Sequence, residues 1–298
     1  MDVAVVGSVA LDTVETPWGR AEDCLGGAAT YFSLAAAIYA RVGLIGVIGE
    51  DFPQEYIELL ARRGVDLEGL ERTSGRTFRW RGRYHQDVNL RDTLETQLNV
   101  FEQFRPKLPP SARRAKYLFL ANIHPALQLD VLNRIQAQFV GLDTMDLWIR
   151  TTPQELREVL KRAHVVIVND SEARQLTGQD NLIKAARDVA KLGPETVVIK
   201  KGEHGCLLVQ RDNLFVMPAY PLENVIDPTG AGDSFAGGFM GFLARKNATD
   251  FDTLRHAAAY GSVTASFACE TFGPDRLGKI GIHDVEVRYQ GLRRLSAL

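Results

Sequence analysis

The chain has 298 residues, and 35 Lys and Arg against 37 Asp and Glu leave a formal net charge of −2. That balance, with no long run of either sign, excludes a nucleic-acid surface or an anionic-membrane anchor as the main role. Three scattered cysteines, Cys24, Cys206 and Cys269, lack Cys-x-x-Cys spacing, which argues against a disulfide framework and a zinc site and for reduced thiols in a cytoplasm.

The chain opens Met1-Asp2-Val3-Ala4-Val5-Val6-Gly7, too acidic and too short an apolar run for a signal peptide. No uncharged apolar stretch approaches the roughly 20 residues that cross a bilayer. Residues 3–6 read as a buried strand ended by Gly7. Residues 28–40, Ala-rich and preceded by Gly26-Gly27, read as a helix, 42–48 as a second strand broken by Gly43 and Gly46, and 53–63 as a helix with Pro53 in its first turn. From Thr73 to Asn99 the chain turns polar, with Trp80, Tyr84 and several arginines and no helical stripe. Residues 76–84 there predict a strand or hairpin of a small accessory sheet, and 107–110 a linker.

Alternation resumes at Tyr117. Strands are expected at 117–120, 139–142, 165–168 and 197–200, with helices at 126–138, 153–161, 171–176 and 181–192 between and after them. Residues 206–209 and 214–217, joined around Arg211-Asp212-Asn213, read as a hairpin, followed by helices at 232–245 and 251–267. The sum is one α/β unit over 1–298: a three-layer arrangement with a mostly parallel sheet covered on both faces, plus a small β lid from about 13–24 and 73–100.

The most informative run is Asp227-Pro228-Thr229-Gly230-Ala231-Gly232-Asp233-Ser234-Phe235, just before a predicted helix. Small residues at 230–232 let backbone amides approach an anion at the positive end of the helix dipole. Asp233, in the first turn beside that anion site, can accept the proton of an attacking hydroxyl. The dipole favours its ionised form, and a weak base suits phosphoryl transfer, whose loose transition state needs positioning and charge compensation.

This run closely resembles the C-terminal signature of the ribokinase-like (PfkB) carbohydrate and nucleoside kinases. Gly7-Ser8-Val9-Ala10-Leu11-Asp12, Leu25-Gly26-Gly27-Ala28-Ala29, Val47-Ile48-Gly49-Glu50-Asp51-Phe52, Asn169-Asp170-Ser171-Glu172 and Val197-Val198-Ile199-Lys200-Lys201-Gly202 are similar to further family elements, so the resemblance covers nearly the whole chain. It implies a ribokinase-like fold, ATP and Mg²⁺ as cofactors, Asp233 as catalytic base, and Gly230, Ala231 and Gly232 as the anion hole. It further implies that Asn169 and Glu172 organise Mg²⁺ and the nucleotide phosphates largely through water. Gly202 and Gly205 would line the nucleotide pocket. Lys200 would stand there too, where many relatives carry a small hydroxyl residue. Asp227 and Thr229 match positions that hold K⁺ in related enzymes. Asp12 would accept hydrogen bonds from a polyol lying against Gly26 and Gly27. Asn122 and Asp143, each near a predicted strand end, face the same region. Lid-mediated dimers occur among relatives, so the resemblance also implies a homodimer through the lid as one expectation.

The resemblance also carries departures. Ala28 and Thr30 replace the lysine and asparagine that ribose-specific relatives show after the two glycines, and residues 76–99 differ from the common sugar-kinase lid. Trp80 or Tyr84 could stack on a nucleobase or sugar, or pack within the lid. The expected acceptor is therefore a sugar or cyclitol, with a nucleoside as the alternative and a non-catalytic ligand-binding module as the reading from another class. Gly273-Pro274-Asp275-Arg276-Leu277-Gly278-Lys279-Ile280 lacks the Ser/Thr of a P-loop, and no Gly-x-Gly-x-x-Gly or sequence-local histidine metal motif is present.

Overall fold

The computed structural model describes residues 1–296. Strand β1 (Val3–Val6) is followed by β2 (Ala10–Thr16), β3 (Gly19–Gly26) and helix α1 (Ala28–Ala36). Then come β4 (Val42–Ile48), α2 (Gln54–Arg62), β5 (Asp66–Arg72), β6 (Phe78–Tyr84), β7 (Arg91–Gln97) and the short α3 (Pro110–Arg113). The alternating part runs β8 (Tyr117–Leu120), α4 (Pro125–Arg134), β9 (Phe139–Leu142), α5 (Asp146–Thr151), α6 (Pro153–Leu160), β10 (Val165–Asn169), α7 (Asp170–Thr177), α8 (Leu182–Ala190) and β11 (Thr196–Lys200). The hairpin β12 (Cys206–Gln210) and β13 (Asn213–Met217) and the helices α9 (Ala231–Lys246), α10 (Phe251–Ala268) and α11 (Ile282–Ser296) complete it.

The main sheet has nine strands in the order β13-β12-β11-β10-β9-β8-β1-β4-β5, parallel except for the β11-β12-β13 edge. Its central strands are continuous apolar runs because both faces are covered. Alternate residues of β1 supply opposite cores: Val3 and Val5 pack with Phe32, Phe119 and Phe239, whereas Ala4 and Val6 pack with Leu118, Leu120 and Val131. A second sheet, β3-β2-β6-β7, has four strands drawn from residues 10–26 and 78–97. Its β6 alternates strictly. Arg81 and Arg83 pair with Glu15 on one face, while Trp80, Gly82 and Tyr84 occupy the other.

Most predicted elements fall within two residues of those observed. The helix expected at 28–40 ends at Ala36, and that expected at 126–138 ends at Arg134 because Ile135 is extended. Pro53 is the N-cap of α2, with ψ 133, one place before the first turn. The strand β5 and the helices α3, α5 and α11 have no counterpart in the sequence reading.

Candidate active site

The parallel strands end where a ligand site of an open α/β sheet is expected. Asn122 follows β8, Asp143 follows β9, Asn169 ends β10 and Lys200 ends β11. Opposite them stands the start of α9. Gly230 is its N-cap in the left-handed region (φ 72), where a Cβ would also run into the Tyr31 ring at 2.3 Å, so only glycine fits. The Ala231 amide already donates to the Pro228 carbonyl at 3.2 Å. The amides of Gly230 and Gly232 find no acceptor among the described residues, so of the three expected donors Ala231 is the one already engaged within the protein.

Asp233 sits half-buried in the first turn of α9. Burial raises its carboxyl pKa, against the opposing charges of Lys200 and Arg91 and its own amide. Asp143 is 6 % exposed, and burial, reinforced by the Asp233 charge, raises it well above the carboxylate range; its Oδ1 has no partner among the described residues. Burial raises both carboxyls, the Asp233 charge adds to the rise at Asp143, and Asp143, the more deeply buried, shows the larger one. Lys200 is the local counter-charge. A Cβ on Gly232 would stand 2.8 Å from its Nζ, so the ammonium lies directly over the helix start.

Asn169 and Glu172 form a capping box on α7. The Glu172 amide donates to Asn169 Oδ1 and the Asn169 amide to Glu172 Oε2, both at 2.8 Å. Burial raises the Glu172 carboxyl, and Lys200 opposes the shift. The motif therefore holds Glu172 rigidly at the rim beside Lys200.

On the other side of the site, Asp12 is 5 % exposed on β2. Burial pushes its carboxyl up to about 8, and Asp227 and Asp233 push in the same direction against the Gly27 amide and Arg91. A Cβ on Gly26 would lie 2.0 Å from Asp12 Oδ2, which accounts for the missing side chain there. Gly27 (φ 94) turns the chain into α1, whose Ala28 and Ala29 amides bond Ser8 at 3.0 Å.

Several predicted positions have other work. Asn122 accepts the Trp148 Nε1 hydrogen bond at 2.8 Å and its Nδ2 contacts Met145 Sδ at 3.1 Å, so it braces residues 145–148. A Cβ on Gly205 would lie 2.0 Å from the Met217 carbonyl, which places Gly205 against the β13 end, whereas Gly202 is exposed. The Asp227 carboxylate accepts the Thr229 and Gly273 amides at 2.9 and 3.2 Å, and the Thr229 hydroxyl bonds Tyr84 at 3.2 Å. Trp80 lies over Gly82 with its Nε1 on Thr93 at 3.3 Å, so Trp80 and Tyr84 are both engaged within the protein. The sequence reading grouped Arg91 only with the lid. Its charge reaches Asp12, Glu172 and Asp233, which follows from strand pairing that no local pattern reveals.

The model of the pfkB family carbohydrate kinases matches residues 3–277. The chain is 34% identical over 252 residues to a cytidine kinase of Thermococcus kodakarensis, covering 82% of this chain and 89% of that one. The nucleoside kinase of Methanocaldococcus jannaschii superposes with a TM-score of 0.79 at 19% identity, over 98% of this chain and 99% of that one. A putative ribokinase II from E. coli, in complex with ATP and Mg²⁺, does so with a TM-score of 0.79 at 19% identity, over 97% and 99%. With the signature run at the start of α9, the acids around it and these likenesses in sequence and fold, the chain belongs to the pfkB family of carbohydrate kinases and is a kinase of ribokinase-like fold.

Proposed function

We propose that the protein transfers the γ-phosphoryl group of ATP to a hydroxyl of a ribonucleoside. The observation that carries this reading is the juxtaposition, at the start of α9, of the Asp233 carboxylate, the open Gly230 and Gly232 amides and the Lys200 ammonium. The acceptor oxygen attacks the γ-phosphorus and its proton passes to Asp233. The bond to the β-phosphate oxygen breaks, and ADP leaves with the electron pair. Asp143, raised further by its deeper burial, is the acid to stay protonated, which leaves Asp233 the ionised one. Asp12, with Gly26 and Gly27 beside it, accepts hydrogen bonds from a vicinal diol. Gly202 and Lys200 border the nucleotide, and Gly205 shapes its loop.

Mg²⁺ fits the carboxylate oxygens of Glu172, which, braced by Asn169, would hold it through water, and it would screen the phosphate charges. A K⁺ site at Asp227 and Thr229 fits less well, because both Asp227 oxygens and the Thr229 hydroxyl already have protein partners.

A ribonucleoside is preferred over a sugar or cyclitol because the similarity to a cytidine kinase is high over most of both chains. The small sheet serves as the lid, and the outer edge of β7, exposed along its length, is open to a second copy of the chain. Free cysteines and a need for ATP support a cytoplasmic enzyme; among the described residues no helix is long and apolar enough to cross a membrane. The test is ADP release with cytidine, adenosine, inosine, ribose, fructose and myo-inositol. Turnover is expected on a nucleoside. Turnover on fructose or myo-inositol alone would move the acceptor to the sugars, and tight acceptor binding without any ADP release would favour a binding module.

A further inference from the structure

We propose that a cavity at the root of the small sheet binds a sugar or polyol phosphate, and that the bound ester keeps the lid seated on the 227–233 turn. The two segments that tie the lid to the body, residues 73–77 before β6 and 98–104 after β7, run side by side there. The Val100 amide donates to the Arg76 carbonyl at 3.1 Å, and Asn99 Nδ2 to the Thr77 carbonyl at 2.9 Å. Between these segments and the ends of β4 and β5 lies a cavity of about 480 Å³, within the range of small-ligand sites. Its apolar wall, Val47 and Phe104, belongs to the core on the face of the large sheet opposite α9. The cavity is therefore separate from the acids and open amides of the active site.

Its charge suits an anion. Arg76, Arg105 and Lys107 line it against one carboxylate, Glu71, which Lys107 already pairs. The Arg105 guanidinium bonds the neighbouring Phe104 carbonyl at 2.8 Å and has no ion-pair partner among the described residues. Arg76 stands 3.8 Å from Asp51 Oδ2, which lies nearer Arg79, at 3.2 Å. The other Asp51 oxygen accepts the Thr77 amide and hydroxyl, both at 2.7 Å. Arg76 is thus the most loosely held group around Asp51, and it is exposed, so it can turn to a ligand. The amides of Ser74, Gly75 and Arg76 find no acceptor among the described residues. Successive open amides beside two guanidinium groups match the oxygens of a phosphate dianion.

A free phosphate ion would leave most of that volume empty. Thr73, Ser74, Asn99 and Gln103 put hydroxyl and amide groups on the walls, and the one lining aromatic, Phe104, is buried. Such walls suit a hydroxylated carbon chain and offer no open ring for a base to stack on. The ester would join Arg76, on the segment entering the lid, to Arg105, just past the segment leaving it. Arg76 is two residues from β6, and β6 ends in Tyr84, whose hydroxyl bonds Thr229 at 3.2 Å. Bridging the two segments therefore opposes lifting of β6 from the 227–233 turn, and a lid held down favours the bound acceptor.

The binding claim stands apart from the phosphoryl transfer proposed above, and only its effect on turnover rests on that reading. Ribose 5-phosphate, glycerol 3-phosphate and inorganic phosphate are titrated by calorimetry into the protein loaded with Mg²⁺ and a non-hydrolysable ATP analogue. A single ester site per chain is expected, with the better ester bound about 10-fold or more tighter than inorganic phosphate. In Arg76→Gln and in Arg105→Gln ester affinity should fall about 10-fold or more, with affinity for the ATP analogue kept. In steady state, the ester should lower the acceptor KM about threefold in the wild type and leave it unchanged in Arg105→Gln. The site is overturned if neither ester binds, if inorganic phosphate binds as tightly, or if both variants keep the wild-type ester affinity, which would put the ester in the acceptor pocket. Ester binding with an unaltered acceptor KM overturns the hold on the lid. Ester binding that needs both arginines, in a protein that turns over no acceptor, upholds the site and removes the transfer chemistry alone.

Discussion

The Lys200 ammonium rests on Gly232: a Cβ at that position would stand 2.8 Å from Nζ. The contact joins the end of β11 to the start of α9 and keeps a cation beside the open amides and Asp233 in the absence of nucleotide. It explains why a long basic side chain is accommodated where a small hydroxyl residue was expected from relatives.

Gly232→Ala separates function from stability. Alanine is the better helix former by up to about 1 kcal/mol, and the displaced atom is the mobile end of a lysine, so the melting temperature should hold or rise. The methyl group nevertheless pushes Lys200 aside and narrows the approach to the amides. Steady-state kinetics should show kcat/KM for ATP lowered about 10-fold or more. An unchanged kcat/KM would mean that the contact has no part in phosphate binding.

Asp12→Asn tests the buried acid. Its folded pKa of about 8 lies above the ordinary 3.8, so its contribution to stability is fully present below the ordinary value and is lost as pH rises to about 8. Melting temperatures of the ligand-free protein should therefore fall between pH 5 and 8.5, and fall less steeply in Asp12→Asn. Equal slopes for the two proteins would place the titration elsewhere.

The capping box predicts a split between Asn169 and Glu172. Asn169→Ala removes the side-chain acceptor at the α7 N-terminus and should cost about 1 kcal/mol, or about 2–4 °C in a chain of this size. Glu172→Gln retains an oxygen for the Asn169 amide, so stability should hold while the Mg²⁺ concentration for half-maximal rate rises. A Glu172→Gln enzyme with an unaltered Mg²⁺ requirement would confine the pair to helix capping.

Much of this was legible in the sequence. Runs such as Val3–Val6 and Val165–Asn169 are apolar because both faces are covered, and their length separates them from helices. The turn at 227–235 is unusual enough to locate the anion site. Strand β5 was not legible, since Asp66–Arg72 mixes acids with leucines at an edge only partly covered. The engagement of Ala231, Asn122 and Gly205 depends on partners distant in sequence or on exact turn geometry, and the place of Arg91 depends on β6–β7 register across a turn.

The central claim is that Asp233 takes the proton of the acceptor hydroxyl. Single-turnover phosphoryl transfer by Asp233→Asn, beside calorimetric ADP binding, tests it most directly. The account predicts a rate lowered by about 10² or more with ADP affinity unchanged. Transfer at the wild-type rate would contradict it.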